Sequence, residues 1–216
     1  MNYHRLAKPL VAALSVGVVS VAWATDTGAV APLDEPFSYP ASLISARSTY
    51  TVSPATPVVL GETVVVLESS RLNDVAAIAR APVYTEGKGK DARHWVCVTA
   101  HNKDKPLRLW FIASGQETVT EVQMSPGTFK QPENCGKIND HFEPVYLSRI
   151  ASGMKVRDVV RDIGPASYKD DAGWNFWVSR RSYTYFENRF TEYVWVGALA
   201  DDKGTISEVF TTQITR

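Results

Sequence analysis

Hydrophobic positions along this chain switch between two periods, and the switches mark its elements. Leu72, Val75, Ala76 and Ala79 fall at i, i+3, i+4 and i+7, one face of a helix, and Val156, Val159, Val160 and Ile163 repeat that spacing. Ser70 is placed to cap the first helix and Pro82 to stop it, while Gly164-Pro165 closes the second as a C-cap glycine and a breaker. Between them, β-branched and aromatic runs predict strands over 95–100, 107–113 and 119–124, and again over 174–179, 190–198 and 206–214. Shorter runs at 58–60 and 64–67 flank Gly61-Glu62-Thr63. Polar turns separate the strands at 101–106 and at Asp201-Asp202-Lys203-Gly204.

These elements rhyme. Thr118-Val119-Thr120-Glu121-Val122 recurs as Thr205-Ile206-Ser207-Glu208-Val209, about 87 residues on, and each copy follows a Trp-bearing apolar strand, Trp110 to Ala113 and then Trp195 to Ala198. A repeat of this length, with one helix and several strands per copy, predicts an α+β fold of two tandem modules, each with one or two helices packed on an antiparallel sheet. The expected boundaries are an extended, Thr-, Ser-, Ala- and Pro-rich arm over 25–57, a first module over 58–125, a linker over 126–144 and a second module over 145–216.

Residues 1–24 carry the pattern of a signal peptide. Arg5 and Lys8 form a positive start, Leu10 to Val21 is apolar, and Ala22-Trp23-Ala24 fits a cleavage site after Ala24. The apolar run is shorter than the ~20 residues a membrane helix needs. The expectation is therefore a periplasmic or secreted protein of a Gram-negative bacterium, with no membrane span. Lys and Arg together number 23, as do Asp and Glu, so loss of the leader leaves a charge near −2. With no basic stripe, nucleic acid is not an expected partner. In an exported chain the two cysteines, Cys97 and Cys135, are expected to form one disulfide; a redox or nucleophilic role would want a CxxC motif or a His partner that the sequence does not display.

Catalytic patterns are missing: there is no GxSxG elbow, no HExxH and no phosphate-cradling glycine loop. His94, His101 and His141 lack ligand spacing, and Asp170-Asp171 and Asp201-Asp202 sit in turn contexts, so neither a metal nor a cofactor is expected. What stands out is aromatic density, from Trp174 to Trp195. Alternation puts Trp174, Phe176 and Val178 on one face of a strand and Trp177 on the other. Because one helix covers only one face of a sheet, some rings should remain exposed, and exposed Trp and Tyr are typical of binding hot spots. Trp177, Tyr183 and Tyr185, flanked by Arg180 and Arg181 as charged anchors or an ordinary solvated strand end, are the candidate contact residues.

Gly153-Met154, followed by Val159, Ile163-Gly164-Pro165 and an aromatic strand from Trp174, resembles the BamE (SmpA/OmlA) group of outer-membrane assembly lipoproteins. It is also similar to the beta-lactamase inhibitory protein (BLIP) fold, which repeats such a unit twice. The likeness covers about 65 residues of the second half and is faint in the first, where Ser69 and Arg80 stand in place of the glycines. It departs from BamE in having no lipidation Cys. The resemblance implies helix-plus-sheet units presenting a broad surface to another protein. The function expected is a protein-binding module, an inhibitor or immunity-type protein acting on a partner such as an envelope hydrolase by surface occlusion. The alternatives are an envelope-biogenesis scaffold bound to an assembly factor, and a small envelope enzyme, which would need a pocket with a perturbed carboxylate or His.

Overall fold

A lone strand makes none of its own backbone hydrogen bonds, so the six long strand-forming runs must pair with one another. The computed structural model describes residues 35–40, 48–49, 55–60, 63–102, 105–128, 134–137 and 145–216, all within one unit spanning 33–216. The expected signal peptide with its expected cleavage site, His141, most of the expected arm and most of the expected linker lie outside the described residues.

The strands are β1 (Val58–Leu60), β2 (Thr63–Val65), β3 (Tyr84–Glu86), β4 (Arg93–Asn102), β5 (Lys105–Ser114), β6 (Glu121–Pro126), β7 (Gly136–Lys137), β8 (Tyr168–Lys169), β9 (Trp174–Tyr185), β10 (Asn188–Ala200) and β11 (Ile206–Thr215). Two helices accompany them, α1 (Leu72–Ala79) and α2 (Val156–Ile163). β1 and β2 form a separate hairpin; the others build one nine-stranded sheet in the order β3-β4-β5-β6-β11-β10-β9-β8, with β7 added parallel to β4 and every other pair antiparallel.

This corrects the expected fold class. The chain is mainly β, with two eight-residue helices on one large antiparallel sheet, and not two tandem α+β modules. The physical reason is the register of β6 on β11: Glu121 opposite Thr212, Val122 opposite Thr211, Gln123 opposite Phe210 and Met124 opposite Val209. Both strands would be edges of half-sized sheets. Pairing them satisfies two rows of backbone groups and removes two exposed edges.

The sequence rhyme has a structural counterpart at the helix starts. Thr118 bridges Arg71, the N-cap residue of α1, and Thr205 bridges Lys155, the N-cap residue of α2. Ser70 does not cap α1; its hydroxyl accepts from the Val66 amide instead. α1 ends with Arg80 in the left-handed region and α2 with Gly164 at φ 93°.

Alternation sorts the sheet into two apolar faces. On one, Val96, Val98, Leu107, Leu109, Phe111, Val122, Trp177, Val194, Val196 and Val209 pack against α1, Val159 of α2 and the β1–β2 hairpin. On the other lie Trp95, Cys97, Trp110 and Ile112 in one cluster, and Trp174, Phe176, Val178, Trp195 and Phe210 in a second. The helices cannot reach this second face. Residues 35–40 reach it instead: Phe37 meets Trp110 edge-on and Trp174 at a tilt, both at 6.0 Å, while Tyr39 stacks on Phe210 at 4.0 Å. Gly197 makes the packing possible, since a Cβ there would collide with the Phe210 ring.

Cys97 and Cys135 form the disulfide, tying β7 to the outer edge of β4. The bridge spans 38 residues, and in the chain-entropy description it removes about 4 kcal/mol of unfolded-state freedom. Replacing both cysteines by serine should lower the unfolding free energy by about that amount, read as a shift in the denaturant midpoint, while reduction of the wild type should reproduce the same shift.

Candidate functional site

Two features of the sheet are candidates for function: the free end of the β9–β10 hairpin, and the face beneath residues 35–40.

The hairpin outruns its neighbours. β9 and β10 pair from Trp174↔Leu199 to Tyr185↔Asn188 without a register shift, but β8 covers β9 only at Asn175 and Phe176. From Arg180 onward β9 is solvent-exposed. The strands are joined by Phe186-Glu187, both at positive φ (45° and 68°), the pattern of a type I′ turn. Such turns favour Asn-Gly; holding a Phe and a Glu there costs about 1 kcal/mol or more apiece. The turn leaves Phe186 80% exposed and Tyr185 63% exposed, their rings in edge contact at 4.5 Å. Behind them Tyr183, 41% exposed, stacks on Phe190 at 5.7 Å, with the Arg181 guanidinium 5.6 Å from the Tyr183 ring. Arg181 donates to Glu192 at 2.8 Å, and that hydrogen-bonded carboxylate raises the guanidinium above its ordinary value. Arg180 lies over Tyr193 on the opposite face at 5.6 Å.

Four of the five expected contact residues therefore stand on this projection: Arg180, Arg181, Tyr183 and Tyr185. Trp177 does not. It is fully buried against the helix-side core, its indole nitrogen donating to the Gly164 carbonyl at 3.0 Å. Alternation places it opposite Trp174, on the face that the helices cover, so Trp177 cannot touch a partner. Phe186 was missed, because a bulky ring is a poor candidate for a left-handed turn and nothing in the pattern marks it as a tip.

The second feature is built around Glu121. Its carboxyl accepts from the Tyr39 hydroxyl at 3.0 Å and from Gln123 Nε2 at 2.6 Å, with Arg93 3.8 Å away. Gln123 Nε2 also donates to the Phe37 carbonyl at 3.0 Å, so side chains and backbone together pin the arm. Burial pushes the Glu121 carboxyl above the ordinary carboxylate value, against the lowering effect of Gln123, Arg93 and Tyr39. Burial, reinforced by the neighbouring carboxylate, likewise raises the Tyr39 hydroxyl. Glu208, the matching residue of the repeat, is also raised by burial. Beside Glu121 opens a cavity of about 830 Å³, walled by Tyr39, Val178, Tyr193, Trp195, Phe210 and Thr212.

The remaining polar candidates resolve into local structure. Asp170 Oδ1 accepts the Trp174 amide at 2.8 Å, and Asp201 Oδ1 accepts the amides of Lys203 and Thr205, which lower its carboxyl. Both are turn-forming carboxylates. His94 Nδ1 lies 2.8 Å from the Thr85 hydroxyl, and His101 belongs to β4 and not to the turn after it. Among the described residues no group of three or more His, Cys, Asp or Glu side chains is placed to hold a metal, and no helix is long and apolar enough to cross a membrane.

Protonation of Glu121 should be readable as stability. Its folded value is raised, so this group's contribution is fully present below its ordinary value of 4.5 and is lost as pH rises through the elevated folded value. Glu121→Gln should flatten that decline above about pH 4.5 in denaturant titrations. Tyr39→Phe, which deletes only the hydroxyl, should cost about 1 kcal/mol at low pH. An unchanged slope in the Gln variant would assign the pH dependence to other groups. Comparison with protein-family models, curated proteins and solved structures returned no match.

Proposed function

We propose that the protein is an exported protein-binding module of inhibitor or immunity type, acting in the periplasm or outside the cell by occluding a partner's surface. The reading is carried by one observation: Tyr185 and Phe186 stand exposed at the end of a hairpin whose turn accepts backbone strain to present them. Large exposed rings on a projecting element are costly to leave in water, and Tyr with Arg is the side-chain pairing enriched where partners are gripped. Tyr183 and Tyr185 supply anchors, Phe186 the leading edge, and Arg180 and Arg181 the charged flank. The disulfide and the leader-like start fit export.

Glu121 meets the condition set for the enzyme alternative, a perturbed carboxylate beside a cavity. Both of its oxygens, however, are engaged by Tyr39 and Gln123, and we assign it to fastening the arm.

The test is affinity capture of the mature protein's partners from periplasmic extract, followed by measurement of each captured protein's Kd against single variants. Tyr185→Ala and Phe186→Ala should each weaken binding by about 30-fold or more, the loss expected of a hot-spot residue of about 2 kcal/mol. A captured hydrolase should lose activity as the module is added to equivalence. Retention of wild-type affinity by both variants for every captured protein would end the hairpin reading.

A further inference from the structure

The outer edge of β9 carries an unpaired run of backbone. Which residues face outward is fixed by their bonds. The Val178 carbonyl accepts from the Thr49 amide at 3.2 Å and its amide donates to the Ser167 hydroxyl at 3.0 Å; the Phe176 carbonyl accepts from Ser167, and the Trp174 carbonyl from Asp170. Even-numbered residues thus point away from β10. The β9–β10 register has no shift, so the same parity carries through Arg180, Ser182 and Thr184. Among the described residues nothing pairs with the backbone of these three. The other outer strands are short, three residues in β3 and two in β8. Among the described residues β9 alone leaves a long open edge, with neither a proline nor a bulge to block it.

We propose that this edge pairs with the same edge of a second copy of the chain, joining two sheets across a two-fold axis at Ser182. The open run is bounded by Val178, already bonded to Thr49 and Ser167, and by the turn at Phe186. Its midpoint is Ser182, so antiparallel self-pairing uses the whole run and leaves no residue over. That register sets Ser182 against its own counterpart and Arg180 against Thr184, with about six backbone hydrogen bonds between the copies. It also sets Arg181 against Tyr183 of the other copy, repeating between chains the cation–π contact already made within one. No two arginines stand directly opposite, and Arg181 is already neutralised by Glu192. An unrelated extended segment could use the same hydrogen bonds; the chain's own edge adds a run of equal length and an aromatic partner for Arg181 without opposing two arginines. The two turns would point to opposite ends, each bringing Phe186 up to Val178 of the other copy, where Thr49 and Ser167 close the open run. The proposal does not rest on what the turn binds, although it engages Arg180, Arg181 and Tyr183, which the proposed function also uses.

Light scattering on size-fractionated protein across about a hundred-fold range of concentration tests it. The wild type should show twice the mass of one chain at the upper end. Ser182→Pro removes an amide that faces away from β10, the position where a strand tolerates proline, and should halve that mass with circular dichroism and thermal midpoint retained. Ser182→Cys should form an intermolecular disulfide on oxidation, since directly opposed hydrogen-bonded residues lie about 5.5 Å apart. Thr191→Cys, one strand inward, should not. A wild type that stays monomeric throughout, or a Ser182→Cys variant that cross-links no faster than Thr191→Cys, overturns the proposal even where the proline variant fails to fold.

Discussion

The pairing of β6 with β11 is the constraint on which the rest of the molecule depends. It joins the two strands that carry the rhyming segments, Glu121 to Thr212 through Met124 to Val209, and continues beyond β6, with Gln213 donating to the Thr120 carbonyl at 2.9 Å and the Thr212 hydroxyl to the same oxygen at 3.1 Å. From this seam the strand order reads outward alike on both sides, two long strands and then a short edge. Because the pairing is antiparallel and in register, apolar faces on either side coincide. Val122 and Val209 therefore share one core with α1 and α2, while Phe210 and Gln123 share the opposite face. A slip of one residue would turn every one of these side chains to the wrong side.

One sheet with two apolar faces needs two covers. The helices supply one. The other is made by a few residues of the N-terminal arm, and it is unusually polar at its centre. Phe37 and Tyr39 bring aromatic area, each worth about 1.5–3 kcal/mol if fully buried. The Tyr39 hydroxyl, however, must enter the same space, and Glu121 is what receives it. A buried carboxyl is expensive when charged, which is why its titration is displaced upward and why three neighbouring groups converge on it. A hydrophobic residue at position 121 would bury more cheaply but would leave the Tyr39 hydroxyl and one Gln123 amide hydrogen without their partner. The site therefore trades stability for a fixed position of the arm.

Much of this was legible along the chain, because local period determines local structure. Both helices fall where Leu72, Val75, Ala76 and Ala79 and their counterparts predict, and five of the six long strands match within a few residues, whereas β9, expected over 174–179, runs six residues further to Tyr185. The disulfide is legible from a pair of cysteines in a chain whose start has the pattern of a signal peptide. What failed was long-range. Whether Val122 and Val209 close two separate sheets or meet in one depends on an interstrand register that no period encodes. Nor does the spacing of Phe37 and Tyr39, in a stretch that reads as an extended arm, announce that they cap a sheet about 80 residues away. Trp177 was misplaced for a related reason: alternation identified two faces without saying which one the helices cover. Phe186 was hidden because its exposure comes from a turn that propensity argues against.

That turn bears on how the hairpin is used. A two-residue loop with both central residues at positive φ leaves β9 and β10 no slack, so the tip is rigid down to its last pair, Tyr185 and Asn188. Gly at position 187 would reach the same geometry with less strain, but it would also loosen the unfolded and folded turn alike. Retaining side chains at both positions means that little conformational entropy remains to be lost when the tip meets another surface. The same rigidity extends down the open edge of β9, whose outward groups at Arg180, Ser182 and Thr184 are held straight by continuous pairing to β10 on the inner side. A hairpin this fixed offers two surfaces at right angles, an aromatic end and a hydrogen-bonding flank. Because the end and the flank share Arg180, Arg181 and Tyr183, pairing along the flank narrows the end to the rings of Tyr185 and Phe186, and the two uses of the hairpin are coupled.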